Sequence, residues 1–193
     1  MTFPTLRLVV PDGLRRADRL LTPAVHRVFA VKAWWYTWRY PGLSLGRGVQ
    51  IRGRLRLRLG VRVAIGDGCR LNRFVRFTGT GTVTVGPDTL LNGCWIGSWD
   101  RVDVGARCLL ANCEISDADF HNVDPARRHE PAGPATRRPV RIGDNVWVGS
   151  RVLVLKGTTV GDDSVLGAGS VVRGAVPTRV VVAGNPAVVT RQL

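Results

Sequence analysis

A period of six residues governs the last third of the chain. Six hexads run without a break from Ile142 to Pro177, reading IGDNVW, VGSRVL, VLKGTT, VGDDSV, LGAGSV and VRGAVP. Each hexad opens with an aliphatic residue, and its fifth place holds a small or β-branched residue. A helix repeats every 3.6 residues and a strand every 2, so this period indicates short strands separated by turns. Three such strands would close one triangular coil with the aliphatic residues inside.

The same arrangement extends toward the N-terminus in a looser form. An aliphatic residue followed by glycine recurs at Leu45-Gly46, Ile65-Gly66, Val85-Gly86, Val104-Gly105, Ile142-Gly143 and Val160-Gly161. Residue types that tolerate tight or left-handed turns follow these pairs, at Asp67-Gly68, Pro87-Asp88, Asp144-Asn145 and Asp162-Asp163. Stacked parallel coils are therefore predicted over residues 45–186. Residues 1–44 are expected to form a helical cap, and residues 187–193 a C-terminal tail.

One gap between these pairs is twice as long as the others. The segment 116–139 accounts for the excess, and its sequence is rich in Pro, Asp, Arg and Ala without any period. A long irregular loop inside a compact repeat is usually functional or disordered. This excursion is therefore the first place to look for chemistry.

The chain is strongly basic, with a net charge of +14, and 28 Lys and Arg against 14 Asp and Glu. Arg52, Arg54, Arg56 and Arg58 alternate with other residues as they would on the outer face of a strand. An anionic partner and a general arginine bias both explain this charge. No nucleic-acid module and no aromatic residues interleaved for base stacking accompany it, so nucleic-acid binding is not expected.

The four cysteines carry no CxxC pair and no paired histidines nearby, which predicts neither a metal site nor a redox pair. Cys69 and Cys108 fall in the small fifth place of their hexads. All four are therefore interpreted as reduced thiols of the core.

The N-terminal segment predicts a helix that starts at Thr22 and Pro23 and ends near Trp38, with a shorter one over 14–21. A cluster of aromatic residues ends it: Trp34, Trp35, Tyr36, Trp38 and Tyr40. These rings suit either contact with a membrane surface or lipid-linked substrate, or packing of the cap and of subunits. No secretion signal or membrane-spanning run is apparent, so a cytoplasmic location is expected.

The hexads resemble the hexapeptide-repeat acyltransferases, and the likeness covers residues 45–186. The resemblance implies an all-β fold: a left-handed parallel β-helix with a short N-terminal helical cap and one long excursion loop. It also implies acetyl-CoA as cosubstrate, no metal, and a homotrimer with active sites between subunits.

Residues 115–125, ISDADFHNVDP, look like the stretch that carries the catalytic base in sugar O-acetyltransferases of this class. Neutral imidazole accepts a proton near pH 7, so His121 is predicted to be that base. A carboxylate would orient it, and Asp117, Asp119, Asp124 and Glu130 are all within reach; the sequence does not choose among them. His129 is the weaker alternative to His121.

The C-terminal run resembles the acyl-CoA-binding end of the family. The positions that match it, or whose charge suits the phosphates of CoA, are Trp147, Gly149, Ser150, Lys156, Ala168, Gly169, Arg173 and Arg191. Asn92 and Asn112 precede the excursion, and their amides can both donate to and accept from sugar hydroxyls.

These features predict transfer of an acetyl group from acetyl-CoA to a hydroxyl of a sugar or glycan intermediate. Transfer would be direct, with a histidine general base. Two alternatives stay open: N-acetylation of an amino sugar, and a non-catalytic basic scaffold for anionic polymers.

Overall fold

The computed structural model describes the backbone of residues 12–193 and the side chains from Ala24 onward. Helix α1, Asp12–Arg39, comes first, and the strands of a parallel β-helix of about seven coils follow it. Every coil contributes short strands to the faces of a three-sided prism, here called faces A, B and C. The predicted fold class is confirmed.

The strands of face A are β1 Leu43–Leu45, β4 Arg62–Ile65, β7 Thr82–Val85, β10 Arg101–Val104, β13 Val140–Ile142, β16 Thr159–Val160 and β19 Ala175–Val176. Face B contains β2 Gln50–Ile51, β5 Arg70–Asn72, β8 Leu90–Asn92, β11 Leu109–Ala111, β14 Trp147–Val148, β17 Val165–Leu166, β20 Val180–Gly184 and β21 Ala187–Gln192. Face C contains β3 Arg54–Arg58, β6 Phe74–Gly79, β9 Trp95–Ser98, β12 Glu114–Ser116, β15 Leu153–Val154 and β18 Val171–Val172.

The excursion leaves the stack of coils without interrupting it. Strand β10 pairs directly with β13, with Val102 opposite Val140, although 38 residues separate them in sequence. The loop contains two short 3₁₀ turns, Pro125–Arg127 and Pro134–Thr136. At the C-terminus the expected tail is instead a strand, because β21 folds back antiparallel onto β20.

Alternating residues of each strand point into the prism, as the pleat of a strand requires. The aliphatic residue that opens each hexad is buried, and so are the fifth-place residues. Ser164 is fully buried, and its hydroxyl donates to the carbonyl of Pro177 at 2.8 Å. Cys69 and Cys108 are buried in the same slot, and burial raises the pKa of both thiols above 9.0. They are free thiols of the core, as predicted.

The turns explain the recurring glycines. Gly68, Asp88, Asn145 and Asp163, the second residues of the four predicted turn pairs, have φ values of +69°, +59°, +54° and +59°. The glycine that follows the aliphatic residue is required for a different reason: the backbone of the next coil packs directly against it. A Cβ added at Gly86 would stand 2.5 Å from the amide nitrogen of Ala106.

Helix α1 closes the open end of the first coil. The Tyr36 hydroxyl accepts a hydrogen bond from the Leu55 amide at 3.1 Å, and Lys32 Nζ donates to the Gly53 carbonyl at 2.6 Å. The helix does not begin at Thr22 and Pro23 as expected but runs through them as one element. Proline inside a helix removes one hydrogen bond and its ring crowds the carbonyl four residues before it, but its fixed φ is helical, so a helix can continue past it at a cost in stability.

Candidate functional site

Buried hydrogen bonds fix the start of the excursion to the prism. The Asp117 side chain is fully buried, and its carboxylate accepts from the amides of Trp99 and Asp100, each at 2.8 Å. The Ser98 hydroxyl donates to it at 3.0 Å. The Asp117 carbonyl also accepts from the Arg138 amide at 2.8 Å, which ties together the two ends of the loop.

An ion pair joins the next part of the loop to a later coil. The Asp119 carboxylate pairs with Lys156 Nζ, and both side chains are about one-third exposed. Lys156, expected at the phosphates of CoA, is in this structure a partner of the excursion.

An aromatic contact fixes the residue before the predicted base. The Phe120 ring packs against Trp99 and Trp95, with ring centroids 5.1 Å and 5.8 Å apart. Trp95 is held on the outside of face C, where its indole N–H donates to the Thr78 hydroxyl at 3.2 Å. Nothing in the sequence pattern predicted this arrangement. The one sequence feature that could have indicated it is the pair Trp95 and Trp99, four residues apart and shortly before the loop.

His121 is exposed, directly after this anchored segment. Its backbone forms a bridge with Pro131, and the neighbouring Asn122 amide donates to the carbonyl of Arg127 at 2.8 Å. The loop is thus closed by its own hydrogen bonds, with the imidazole on its surface. His129 is also exposed and lies farther from the anchored segment.

The carboxylates considered as partners of His121 are engaged elsewhere. Asp117 and Asp119 make the contacts described above, Asp124 accepts from the Ala126 amide at 3.0 Å, and Glu130 pairs with Arg127 at 2.8 Å. Among the described residues, none of these carboxylates forms a hydrogen bond with the imidazole. In the single chain their role is to hold the loop.

A groove of about 670 Å³ lies at the corner between faces B and C. Its walls combine arginines, aromatic rings and one carboxylate; they include Arg73, Phe74, Arg76, Trp95, Asn112, Glu114 and Arg151. Trp95 belongs both to this groove and to the aromatic contact with Phe120, so one wall residue of the groove touches the excursion. Sequence reasoning named only Asn112 among these residues.

The two predicted acceptor asparagines have different surroundings. Asn112 lies in the groove, at a corner where its φ of +51° also satisfies a turn. Asn92 is half-buried on face B, paired in register with Asn72 and Ala111. The structure therefore places Asn112 but not Asn92 in the groove.

The remaining predicted cofactor residues fall into two groups. Trp147 and Arg191 are exposed on face B, while Gly149, Ser150, Ala168 and Gly169 lie at the corner between faces B and C. Lys156 and Arg173 lie beyond the other edge of face C. The single chain does not bring the two groups into one cavity with His121.

The corner group offers two free backbone hydrogen-bond donors. The Gly149 amide donates to the Leu166 carbonyl at 2.9 Å, and the Ser150 carbonyl accepts from the Gly169 amide at 2.9 Å. The Ser150 and Ala168 amides have no partner among the described residues. A Cβ added at Gly169 would have no other atom within 4 Å, so the space next to this glycine is open.

Two cysteines lie along the groove. The Cys113 thiol donates to Cys94 Sγ at 3.5 Å, and this hydrogen bond together with burial raises the pKa of Cys113 well above 9.0. The same hydrogen bond lowers the pKa of Cys94. Both side chains are buried, about 1% exposed, so neither sulfur is accessible to a reactant. No group of metal-ligating side chains occurs in the part of the chain that the structure describes.

Comparison with known proteins identifies a matching family and several similar proteins. Residues 139–174 match the family described as bacterial transferase hexapeptide (six repeats). A putative lipopolysaccharide biosynthesis O-acetyl transferase of Escherichia coli strain K12 is 32% identical over 152 residues, 74% of each chain. The galactoside O-acetyltransferase of that strain is 51% identical over 92 residues, 48% of this chain and 44% of the relative.

Other matches are partial or structural. A probable acetyltransferase of Mycobacterium tuberculosis is 34% identical over 154 residues, 76% of this chain and 49% of the relative. The chain thus spans about half the length of this relative and of the galactoside enzyme. A hexapeptide-repeat acetyltransferase of Vibrio cholerae, solved with acetyl-CoA, superposes with a TM-score of 0.61 at 22% identity, over 94% of this chain and 88% of that one.

Proposed function

The chain belongs to the family of bacterial hexapeptide-repeat transferases, and on this premise we propose that it transfers an acetyl group from acetyl-CoA to a hydroxyl group of a sugar or glycan. The names of its relatives support an acetyl donor and a saccharide acceptor. The observation that carries the proposal is the exposed His121 directly after a segment fixed to the prism by Asp117 and Phe120.

His121 acts as the general base. Its neutral imidazole takes the proton of the acceptor hydroxyl while the hydroxyl oxygen attacks the thioester carbonyl carbon. The tetrahedral intermediate then collapses, the carbon–sulfur bond breaks, and the imidazolium returns the proton to the departing CoA thiolate. The products are an acetyl ester and CoA, without a covalent enzyme intermediate.

Asp117 and Asp119 serve as positioning residues in this mechanism. Asp117 holds the start of the loop through three hydrogen bonds, and Asp119 holds the next turn through Lys156. A base must lie within hydrogen-bond reach of the proton that it abstracts. Both carboxylates therefore affect turnover through the position of the imidazole.

Acetyl-CoA lies along the corner of Gly149, Ser150, Ala168 and Gly169. The unpartnered Ser150 amide suits the developing oxyanion, since a donor already in place stabilises charge in the transition state. Trp147 and Arg191 extend this surface on face B, where the indole offers stacking area and the guanidinium offers a charge for phosphate. Lys156 and Arg173 would reach the cofactor only from another subunit.

We propose a homotrimer, as the family resemblance implies, and this separation supports a site shared between subunits. His121 and the corner group do not share a cavity in one chain, so the site is completed by His121 of one subunit and the corner of its neighbour. Asn112 in the groove and Asn92 beside it would bind acceptor hydroxyls.

We place the reaction in the cytoplasm, where acetyl-CoA is made. Contact of the N-terminal helix with a membrane is a separate proposal, because it concerns a different surface.

Replacement of the base tests the proposal. His121→Ala should lower kcat/KM by roughly 10² to 10⁴ while leaving the folded trimer intact. His129→Ala, a matched exposed histidine of the same loop, should stay near wild type. Release of CoA and formation of the acetyl ester should be followed with hydroxyl and amino-sugar acceptors. Full activity of His121→Ala would refute the assignment, and transfer to amines alone would favour N-acetylation.

A further inference from the structure

Helix α1 presents an apolar face that does not pack on the prism. One side of the helix is turned inward: Phe29, Ala33 and Tyr36 lie against the first coil. The opposite side carries Val28, Val31, Trp34, Trp35 and Trp38, which are 62, 65, 67, 46 and 70% exposed. Side chains spaced three and four residues apart share a face of a helix. This outer face therefore presents an apolar surface, with three indole rings, to the surroundings.

The charge around this face has one sign. Between Asp18 and Asp67 the chain contains no acidic residue, while it contains Lys32 and nine arginines. Arg27 and Arg39 are exposed on the helix itself. Arg52 on the first coil lies with its guanidinium 5.9 Å from the Phe29 ring, next to the helix.

Face C continues this positive charge. Arg54, Arg56 and Arg58 are exposed on β3, and Arg56 lies beside Arg76 of the next coil. None of these four arginines pairs with a carboxylate of the described residues. Adjacent like charges repel each other, so an anionic surface that neutralises them is favoured.

We propose that the outer face of α1, together with the arginines of β3, docks on the surface of an anionic lipid bilayer. Tryptophan is suited to the boundary between headgroups and acyl chains, because its body is apolar and its N–H is polar. Arginines beside it attract anionic headgroups. Within the described residues no helix is both long enough and apolar enough to cross a bilayer. The contact is accordingly peripheral, with the helix lying in the interface.

The docked orientation brings the candidate site close to the membrane. On face C, Arg56 lies beside Arg76, and Arg76 beside Trp95. Two strand spacings, about 10 Å, separate Arg56 from Trp95. Trp95 contacts Phe120, the neighbour of His121. An acceptor at the membrane surface would thus lie within a few coils of the site, although vesicle binding itself depends on neither acetyl-CoA nor catalysis.

Vesicle sedimentation of the purified full chain tests the docking. We expect binding to phosphatidylcholine vesicles that contain phosphatidylglycerol, weaker binding at high salt, and little binding to phosphatidylcholine alone. Arg54→Gln and Arg56→Gln should each weaken the partition about fivefold. The double variant Trp34→Ser with Trp38→Ser should weaken it by about tenfold or more. Arg141→Gln on face A and Val188→Ser on β21, both exposed and outside the proposed docking surface, should leave it unchanged.

A second measurement does not depend on how well those variants fold. Brominated lipids should quench the tryptophan fluorescence of the wild-type protein. Conversion of Trp34, Trp35 and Trp38 to Phe should remove most of the quenching while the protein still binds. Equal binding to neutral and anionic vesicles, or no quenching, would overturn the proposal. A change of oligomeric state in the Trp34→Ser, Trp38→Ser variant, measured by light scattering, would also overturn it. The outer face of α1 would then be a contact between copies of the chain.

Discussion

The prism and the excursion are built on opposite principles. In the prism, a residue's surroundings follow from its place in a six-residue repeat: the opening aliphatic residue is buried, and the turn residue has a positive φ. In the excursion, each residue has its own non-local partner, such as Ser98 for Asp117 or Lys156 for Asp119. Substitutions in the prism should therefore cost stability, whereas substitutions in the loop should cost activity.

Removal of a ring from each region should give the largest contrast. Phe77 is fully buried in the prism, so Phe77→Ala should lower the free energy of unfolding by about 3–5 kcal/mol. Phe120 is 52% exposed, so Phe120→Ala should cost less than about 1.5 kcal/mol. It should instead lower kcat/KM by about tenfold or more, because His121 loses its anchored neighbour.

Denaturant unfolding and the acetyl-transfer assay measure these two effects. Val123→Ala, at an 80% exposed position of the same loop, is the control and should change neither quantity. An equal loss of stability in the Phe77 and Phe120 variants would contradict the division between the two regions.

The junction between the regions should show an intermediate effect on stability. Asp117→Asn replaces a buried carboxylate that accepts three hydrogen bonds with an amide whose NH₂ group cannot accept. We expect a loss of about 2 kcal/mol, since charge-assisted bonds to backbone amides are broken. Turnover should fall as well, because the base of the loop is released.

The exposed Asp124 provides the matched control for this substitution. Its carboxylate caps a single 3₁₀ turn, and Asn caps such a turn about equally well, so Asp124→Asn should be nearly neutral. Thermal unfolding of both variants decides the point. Indistinguishable midpoints for the Asp117 variant and the wild type would show that these bonds do not hold the loop.

The ion pair between loop and prism should have the smallest effect on stability. Lys156 and Asp119 are partly exposed, so breaking their pair should cost at most about 1 kcal/mol. If the pair anchors the loop, Lys156→Met, Asp119→Asn and the double variant should reduce kcat to the same extent. A rise in KM for acetyl-CoA in Lys156→Met alone would assign the lysine to the cofactor phosphates instead.

The difference between the two regions also explains what could be predicted. The coils, the turn at Asp88 and the excursion at 116–139 could be predicted from the sequence, because every coil needs the same buried aliphatic residue and the same turn residue. The groove was missed, since Arg73, Asn112 and Arg151 come from different coils and meet only where those coils stack. The helix begins before the predicted start at Thr22 and Pro23, because a local proline signal indicates a helix boundary but does not prevent a helix from continuing through it.

The sequence alone determined the prism, because period six admits only short strands and turns that close on themselves, and it singled out His121 by its place in the one irregular segment. The tertiary structure alone decided which partners hold that segment: Ser98, Trp99 and Asp100 for Asp117, the two indole rings for Phe120, and Lys156 for Asp119. These contacts join residues up to 37 positions apart. No local pattern encodes them, because their energy arises only after the coils have stacked.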